Sequence, residues 1–178
     1  AERETIFVHE QSWYDDHDVE LGLGIRATDV DVAAHELALD TGERIRYDKV
    51  LLATGSSPHR LTVPGAGLNG VHYLREARDA DRLRAALVGG GRRVVIIGGG
   101  WIGLEVAAAA RGHGNDVTVV ESQQTPLRTA LGDELGGMFA GLHREHGVDL
   151  RLSTRVRELV GSGDHVTGIV TDEGAQLP

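Results

Sequence analysis

The chain has 178 residues, of which 40% are hydrophobic and 25% charged, and its formal net charge is −9 at pH 7. Interspersed negative charge argues against nucleic acid or an anionic membrane as the main partner, because both bind clustered cations. The absence of cysteine excludes a disulfide, a thiolate zinc site or a redox dithiol within this chain. We expect a cytoplasmic location, because no apolar run reaches the roughly 18 residues of a membrane span and residues 1–20 carry no secretory signal.

The beginning of the chain is predicted to be mostly β. Residues 10–17, EQSWYDDH, indicate the tail of a helix, and VELGLG at 19–24 indicates a short buried strand. Antiparallel strands are predicted to follow, with a turn at Asp40–Gly42. The apolar run KVLLATG, residues 49–55, predicts one further strand, which ends in small residues.

Residues 56–67, SSPHRLTVPGAG, contain two of the four prolines and are the best linker candidate. Helices and strands alternate after it. The predicted elements are a helix at 75–87, a strand at 93–97, a helix at 101–112, a strand at 116–121, a helix at 132–147 and a strand at 148–153. Two antiparallel strands around a turn at Gly161–Asp164 complete the chain.

This order predicts an α/β fold: a Rossmann-type parallel sheet with helices on both faces, plus an antiparallel β-meander. A mostly β segment precedes it. We place the domain boundary between residues 58 and 59, so that the domains are 1–58 and 59–178.

Three glycines follow the strand at 93–97 with the spacing G-x-G-x-x-G: Gly98, Gly100 and Gly103. Such a loop lets the chain turn tightly, lets the backbone approach a pyrophosphate, and lets the next helix pack close to the strand. Glu121 ends the following strand, where an acidic side chain accepts hydrogen bonds from a ribose and repels a 2′-phosphate. The spacing therefore favours NAD over NADP.

Two other features are weaker. The triplet Gly89–Gly91 follows a helix and precedes a strand, so we interpret it as the end of that helix and not as a phosphate site. On spacing alone Glu105 is a first-turn acid in the field of a helix N-terminus.

Three stretches carry a resemblance to a known family: YDKVLLATGSSP, RVVIIGGGWIGLEVA and DVTVVE. They resemble the FAD-dependent pyridine-nucleotide oxidoreductases of the glutathione-reductase superfamily. Within it the chain is most similar to ferredoxin reductases of the putidaredoxin reductase type and of aromatic-ring dioxygenase systems. In this family a glycine loop in mid-chain, after an A-T-G strand, holds NADH, and the flavin has its own loop near the N-terminus.

The resemblance implies roles for individual residues. It places Glu105 at the nicotinamide, as the group that orients the carboxamide and thereby supports catalysis. Glu121 takes the adenosine ribose, and Arg128 is the single cation where the family usually has a basic pair. The loop residues implied to hold the NADH pyrophosphate are Gly98, Gly100 and Gly103, with Ile102 beside it. Gly99 and Trp101 of the same loop are also predicted to contact the cofactor. The residues implied to pack against FAD are Ala53, Thr54 and Gly55.

The resemblance also implies that this chain is the middle part of a longer reductase. The flavin glycine loop, the Gly-Asp segment that holds the flavin and the C-terminal domain are not in the sequence, and the NAD domain lacks its last strand. We therefore expect an NADH-dependent flavoprotein reductase that passes electrons to ferredoxin or a similar small iron–sulfur protein. We expect this chain alone to be inactive.

Alternatives remain open at the level of sequence. The electron acceptor could be rubredoxin, nitrite or oxygen, or the chain could be a nucleotide-binding module without catalysis. No metal site is expected, because His143 and His146 have metal-ligand spacing but no third ligand nearby and fit surface histidines. His59 fits an exposed linker residue, and Ser56 and Ser57 form no nucleophile elbow.

Overall fold

A computed structural model describes residues 7–178, so the first six residues of the predicted segment 1–58 lie outside the described residues. The chain divides into two compact units, Ala1–Gly55 and Ser56–Pro178.

The first unit contains one short helix and one small antiparallel sheet. Helix α1 is followed by three strands in the order β1-β2-β3. Their bounds are Gln11–Asp16 for α1, Ala27–Asp31 for β1, Glu36–Leu39 for β2 and Arg44–Arg46 for β3. The turn between β2 and β3 contains Gly42 at φ 87°, a conformation that glycine adopts without strain. The predicted antiparallel strands and the turn at Asp40–Gly42 are thus confirmed.

Two predicted strands of this unit are wrong. Residues 19–24 and the A-T-G segment 49–55 form no strand, and the side chain of Leu51 is 89% exposed. Both predictions rested on apolar runs. An apolar run forms a strand only when a neighbouring strand satisfies its N–H and C=O groups. Among the described residues no strand pairs with either segment.

The second unit holds three helices and two sheets. Its element order is helix–strand–helix–strand–helix–strand and then three strands. The bounds are Ala77–Leu87 for α2, Arg93–Ile97 for β4, Trp101–Gly112 for α3, Asp116–Val120 for β5, Arg128–Glu145 for α4, Val148–Arg151 for β6, Val156–Ser162 for β7, His165–Thr171 for β8 and Gln176–Leu177 for β9. The predicted bounds of β4 and α3 agree with the structure.

Strands β4, β5 and β6 form a parallel sheet in that order. Because both crossovers step in the same direction and such crossovers are right-handed, α3 and α4 cover the same face. The core on that face combines Ala107 and Ala110 of α3 with Ala140 of α4, and Leu87 of α2 joins it. The predicted parallel α/β fold is confirmed.

The opposite face of the parallel sheet is covered by the antiparallel sheet β7-β8-β9. There Val120 of β5 packs with Leu159 and Ile169, which belong to β7 and β8. Helices on both faces were predicted, but the three helices of this unit, α2, α3 and α4, lie on one face only. The direction of the two crossovers explains the difference.

Helix α4 begins four residues before the predicted start and is broken at Gly132. Gly132 has φ 77° and ψ −176°, which interrupts the helical backbone after one turn. Residues 133–145 continue as a helix beyond it. The sequence pattern identified only this longer portion.

Among the described residues no helix combines the length and the hydropathy that crossing a bilayer requires.

Candidate functional site

The glycine loop leaves β4 in a tight turn that is fastened at two points. Gly98 has φ 108°, and its N–H donates to the carbonyl oxygen of Val120 at 2.8 Å. The next carbonyl, that of Gly99, accepts from the N–H of Leu127 at 3.0 Å. The loop is therefore held both to the end of β5 and to the start of α4.

The loop leads directly into the N-terminus of α3, which begins at Trp101. Gly100 is the N-cap residue, and no side chain caps this helix end. The first helical hydrogen bond runs from the N–H of Leu104 to the carbonyl of Gly100, at 3.0 Å. The preceding N–H groups belong to the first turn, where a helix has unpaired donors and a positive partial charge. This end of α3 is suited to an anion such as a pyrophosphate.

The glycines of the loop differ in what a side chain would meet. A Cβ on Gly103 would overlap the carbonyl oxygen of Gly98, so this position requires glycine for the close packing of α3 against the loop. A Cβ on Gly100 would meet nothing within 4 Å. The space beside Gly100 is thus open, as it must be if a phosphate approaches the backbone there.

Glu121 is the side chain most firmly tied to the loop. Its Oε2 accepts from the N–H of Gly99 at 2.6 Å, and its Oε1 accepts from the N–H of Gln123 at 2.7 Å. The hydroxyl of Ser122 also donates to Oε1, at 3.2 Å. These bonds fix the carboxylate in one orientation before any ligand arrives, and Oε2 keeps a second acceptor position.

A cleft of about 290 Å³ opens between the loop, the end of β5 and the start of α4. Trp101 forms one wall; its ring is 50% exposed and meets Phe139 edge-on at 5.9 Å. The other residues that line the cleft are Gly99, Gly100, Glu121, Ser122, Gln123, Thr125, Leu127, Arg128, Thr129 and Ala130. The structure thereby brings together the glycine loop, Glu121 and Arg128.

Arg128 is held by a neighbour that the sequence analysis did not identify. Its Nε lies 2.7 Å from Oδ1 of Asp133 and its Nη2 lies 3.4 Å from Oδ2. Its Nη1 donates to Oε1 of Gln123 at 3.3 Å. Asp133 follows the break at Gly132, and nothing in the sequence spacing pointed to it.

Two other predicted residues lie on α3 outside the lining of this cleft. Ile102 and Glu105 are both exposed, in the first turns of the helix. The role of Glu105 at a nicotinamide stays a prediction. The predicted flavin contacts Ala53, Thr54 and Gly55 belong to the first unit, in the segment that forms no strand, and they are exposed.

The second glycine triplet has no relation to a phosphate site. Gly89, Gly90 and Gly91 all have positive φ and follow the end of α2. The N–H of Gly91 donates to the carbonyl of Gly114, at 3.0 Å. The triplet is thus a loop that ends a helix and packs on the turn before β5.

His143 of α4 and His146 just after it both contact backbone carbonyl groups. His143 is half-buried, not a surface residue, and its ring lies 2.9 Å from the carbonyl oxygen of Phe139 and 3.3 Å from that of Leu104. It therefore bridges α4 to α3. His146 is exposed and contacts the carbonyl of Leu142. In the described part of the chain, no three His, Cys, Asp or Glu side chains form a group that could hold a metal ion.

A match to a known protein family shows to which family the chain belongs. The sequence profile of the family described as pyridine nucleotide-disulphide oxidoreductase matches residues 2–178. The chain belongs to this family. The match extends through both compact units.

Relatives and solved structures agree with the family. Rhodocoxin reductase of Rhodococcus erythropolis is 41% identical over 173 residues, which are 97% of this chain and 40% of the relative. The ferredoxin–NAD(+) reductase component of the anthranilate 1,2-dioxygenase system of Burkholderia cepacia is 40% identical, over 96% of this chain and 42% of the relative.

Among solved structures, the covalent putidaredoxin reductase–putidaredoxin complex matches with a TM-score of 0.90 and 33% identity. The match covers 100% of this chain and 44% of that one. The chain therefore spans less than half the length of the proteins it matches.

Proposed function

We propose that this chain binds NAD(H) at the N-terminus of α3 and serves as the nicotinamide-nucleotide part of a flavin-dependent ferredoxin reductase. The observation that carries the proposal is the fixed pairing of Glu121 with the glycine loop. An anion-binding helix end and an acceptor for a ribose hydroxyl are held together by a 2.6 Å hydrogen bond. A dinucleotide needs both, one for its pyrophosphate and one for its adenosine ribose.

The pyrophosphate would lie beside Gly100. The space there is open, and the N–H groups of the first turn of α3 supply donors and positive partial charge. Glycine at position 103 supports this indirectly, because it allows α3 to start close to β4 and to aim its N-terminus at the cleft. These residues fit the phosphates of a dinucleotide.

The ribose would bind at Oε2 of Glu121. Oε1 already takes two donors, from Gln123 and Ser122, whereas Oε2 takes one, from Gly99. A carboxylate oxygen accepts about two hydrogen bonds, so Oε2 is the atom with capacity for a hydroxyl. The same negative charge repels a 2′-phosphate, which favours NAD(H) over NADP(H).

FAD, when bound in the whole protein, would supply the change from two-electron to one-electron chemistry: the hydride of NADH would leave it as two single electrons, one to each of two one-electron carriers, and one proton to solvent. The proposed role of this chain is to bind NAD(H) and to align its nicotinamide. Hydride transfer depends on alignment more than on proton transfer, so Glu105 is proposed to orient the carboxamide of the nicotinamide. Residues 1–58 are proposed as part of the flavin-binding domain, with Ala53, Thr54 and Gly55 against the flavin, and residues 59–178 as the NAD domain.

The proposed acceptor is a ferredoxin or a similar small iron–sulfur protein. The names of the relatives support this choice, since they describe reductases of ferredoxins and related carriers. The acceptor depends on the whole protein, of which this chain corresponds to the part that takes up the nucleotide.

Calorimetric titration of the chain with NADH and with NADPH tests the binding proposal. We expect NADH to bind at least about tenfold more tightly than NADPH, a difference of about 1.4 kcal/mol. Equal affinities, or tighter NADPH, would contradict the role of Glu121. If neither nucleotide binds, the site itself is wrong.

The whole protein tests the reductase assignment separately. It is expected to be yellow from bound flavin and to oxidise NADH when a ferredoxin or an electron-accepting dye is supplied. A colourless whole protein that binds NADH without oxidising it would instead indicate a nucleotide-binding module.

A further inference from the structure

We propose that Asp133 is a specificity-determining residue, which withdraws the arginine of the nucleotide cleft from recognition of a 2′-phosphate. The inference rests on the proposed NAD(H) site and concerns a residue outside the glycine loop. Asp133 does not line the cleft itself. It acts through Arg128, which is the only Lys or Arg among the residues that do.

The pair gives Arg128 a defined orientation in which both side chains stay partly exposed, Arg128 at 42% and Asp133 at 57%. Two nitrogens of the guanidinium, Nε and Nη2, face the two carboxylate oxygens of Asp133 at 2.7 and 3.4 Å. Two parallel contacts fix the plane of the guanidinium as well as its position. The hydroxyl of Thr125 donates to Oδ1 of Asp133, at 3.3 Å, and this hydrogen bond also helps to hold the carboxylate.

The remaining contact of Arg128 connects it to the ribose side of the cleft. Its Nη1 donates to the side-chain oxygen of Gln123, and the N–H of the same Gln123 donates to Oε1 of Glu121. Gln123 thus bridges Arg128 to the carboxylate of Glu121, which is proposed to bind the ribose. A guanidinium in that place would be a natural partner for a phosphate on the ribose 2′-oxygen.

The charges explain why this arginine does not serve that purpose here. Glu121 and Asp133 are both negative and Arg128 is positive, so the three groups together carry one negative charge. A 2′-phosphate, itself doubly charged near neutral pH, would meet one fixed carboxylate and a cation already paired. Glu121 discriminates directly, by repelling a 2′-phosphate. Asp133 reinforces this discrimination because it pairs with Arg128, whose positive charge would otherwise offset the repulsion.

The chain offers a matched pair of variants for a test. Asp133→Asn removes the charge while keeping the size of the side chain. Glu134→Gln removes a charge from the next residue, which is exposed on the same helix and is not among the residues that line the cleft. A third variant, Arg128→Ala combined with Asp133→Asn, shows whether any effect passes through the arginine.

The measurement is the dissociation constant of each chain for NAD+ and for NADP+, by titration calorimetry at low and at high salt. In Asp133→Asn we expect NADP+ to bind about fivefold more tightly, with NAD+ changed by less than about twofold. The gain should disappear in the double variant and shrink at high salt, since it comes from an exposed charge pair. Glu134→Gln should leave the ratio of the two constants within about twofold of its original value.

The outcomes separate this inference from the proposed function. If the unaltered chain binds neither nucleotide, the proposed site fails. If it binds NAD+ but Asp133→Asn leaves the NADP+ constant unchanged, or if Glu134→Gln produces the same gain, Asp133 has no role in specificity while the site stands. A gain that persists without Arg128 would likewise overturn the inference.

Discussion

The backbone N–H of Gly99 donates a 2.6 Å hydrogen bond to the carboxylate of Glu121, and this contact ties the glycine loop after β4 to the end of β5. The two residues are 22 positions apart in the sequence, at the ends of neighbouring parallel strands. The contact gives Glu121 two tasks, because the same carboxylate shapes the loop and is proposed to bind the ribose. A substitution at this position is therefore expected to alter the loop as well as the affinity.

Glu121→Gln should weaken NAD+ binding by about tenfold, which corresponds to about 1.4 kcal/mol. Both oxygens of the carboxylate accept from backbone N–H groups, those of Gly99 and Gln123. A glutamine has one acceptor oxygen, so its amide nitrogen would face an N–H donor and the side chain would leave its position. Titration calorimetry measures the loss, with Ser122→Ala as the control that removes only the weaker 3.2 Å contact. An unchanged constant for Glu121→Gln would refute the proposed ribose contact.

Two glycines of the loop should respond to alanine in opposite ways. Gly103→Ala is expected to destabilise the fold by about 2 kcal/mol or more, because the new methyl group overlaps the carbonyl of Gly98. Gly100→Ala places its methyl group in open space and should leave the unfolding free energy within about 0.5 kcal/mol. It should nevertheless weaken NAD+ binding, because the methyl group occupies the approach to the pyrophosphate.

Urea denaturation and nucleotide titration of both variants check this contrast. Loss of binding in Gly100→Ala at preserved stability would place the phosphate beside this residue. Full affinity in that variant would show that the phosphates lie elsewhere.

The sequence predicted the part of the fold that local patterns determine. The bounds of β4 and α3 followed from an apolar run, a glycine loop and an alanine-rich stretch, all of which act within a few residues. The segment 49–55 has an equally apolar pattern and yet forms no strand. A strand depends on partners that are distant in sequence, and an apolar run alone contains no information about them.

In the candidate site, too, local sequence patterns predicted some residues and missed others. The spacing of the glycines and the position of Glu121 were enough to bring these residues together. Asp133 was missed because it follows a break in the helical backbone at Gly132, where φ is 77°, and its contact with Arg128 spans that break. A glycine inside a helical pattern signals such a break only weakly, so the pair that orients the arginine could be found in the structure alone.

Glu105→Ala in the whole protein should slow the reduction of the flavin by NADH by about tenfold, and should change the dissociation constant of NADH by less than about threefold. Glu105 is exposed on α3, one turn beyond Trp101. If it orients the nicotinamide, its loss affects alignment more than binding. Stopped-flow measurement of flavin reduction at several NADH concentrations separates the two. Glu145→Ala, a change of the same charge near the end of α4, is the control, and an unchanged reduction rate would return Glu105 to the role of a helix-dipole acid.

The first turn of α2 should be sensitive to acid. Asp79 accepts from the N–H groups of Glu76 and Arg75, at 3.0 and 3.2 Å. The hydrogen bond from Glu76 is the main cause that lowers the pKa of Asp79 below its ordinary value of 3.8, with further contributions from Arg75 and from the charges of Arg78 and Arg82. Burial opposes this shift.

A carboxyl whose pKa is lower in the folded state stabilises the fold above its unfolded pKa, and this contribution is lost as the pH falls through the folded value. Asp79→Asn should therefore lower the thermal midpoint at neutral pH. The difference from the unaltered chain should shrink below pH 3.8. Circular dichroism melts over a pH series measure it, and Glu173→Gln serves as an exposed control. A difference that is constant over this range would show that the hydrogen bonds from Glu76 and Arg75 to the Asp79 carboxylate do not stabilise the fold.

Asn115 should prove the most sensitive polar residue of the second unit. Its side chain is fully buried, donates to the carbonyls of Leu87 and Ala110 at 2.9 and 3.0 Å, and accepts from the N–H of Arg92 at 3.2 Å. It therefore joins the end of α2, the end of α3 and the start of β4. Asn115→Leu would remove all three side-chain hydrogen bonds and leave the carbonyl of Leu87 and the N–H of Arg92 without this partner, at a cost of about 3 kcal/mol. The carbonyl of Ala110 keeps the backbone N–H of residue 115 and that of His113.

Urea denaturation followed by the fluorescence of Trp101 measures this cost, in a Trp13→Phe background that removes the other tryptophan. Asn69 offers the matched control, because its side chain donates to Asp164 at 2.7 Å in an exposed position. Asn69→Ala should change the unfolding free energy by less than about 1 kcal/mol. Equal effects of the two substitutions would mean that the buried asparagine does not hold these three segments together. A large loss at Asn115 alone would show that this residue holds the start of β4 in place. The glycine loop follows the other end of the same strand, so Asn115 would help to position the loop from a distance.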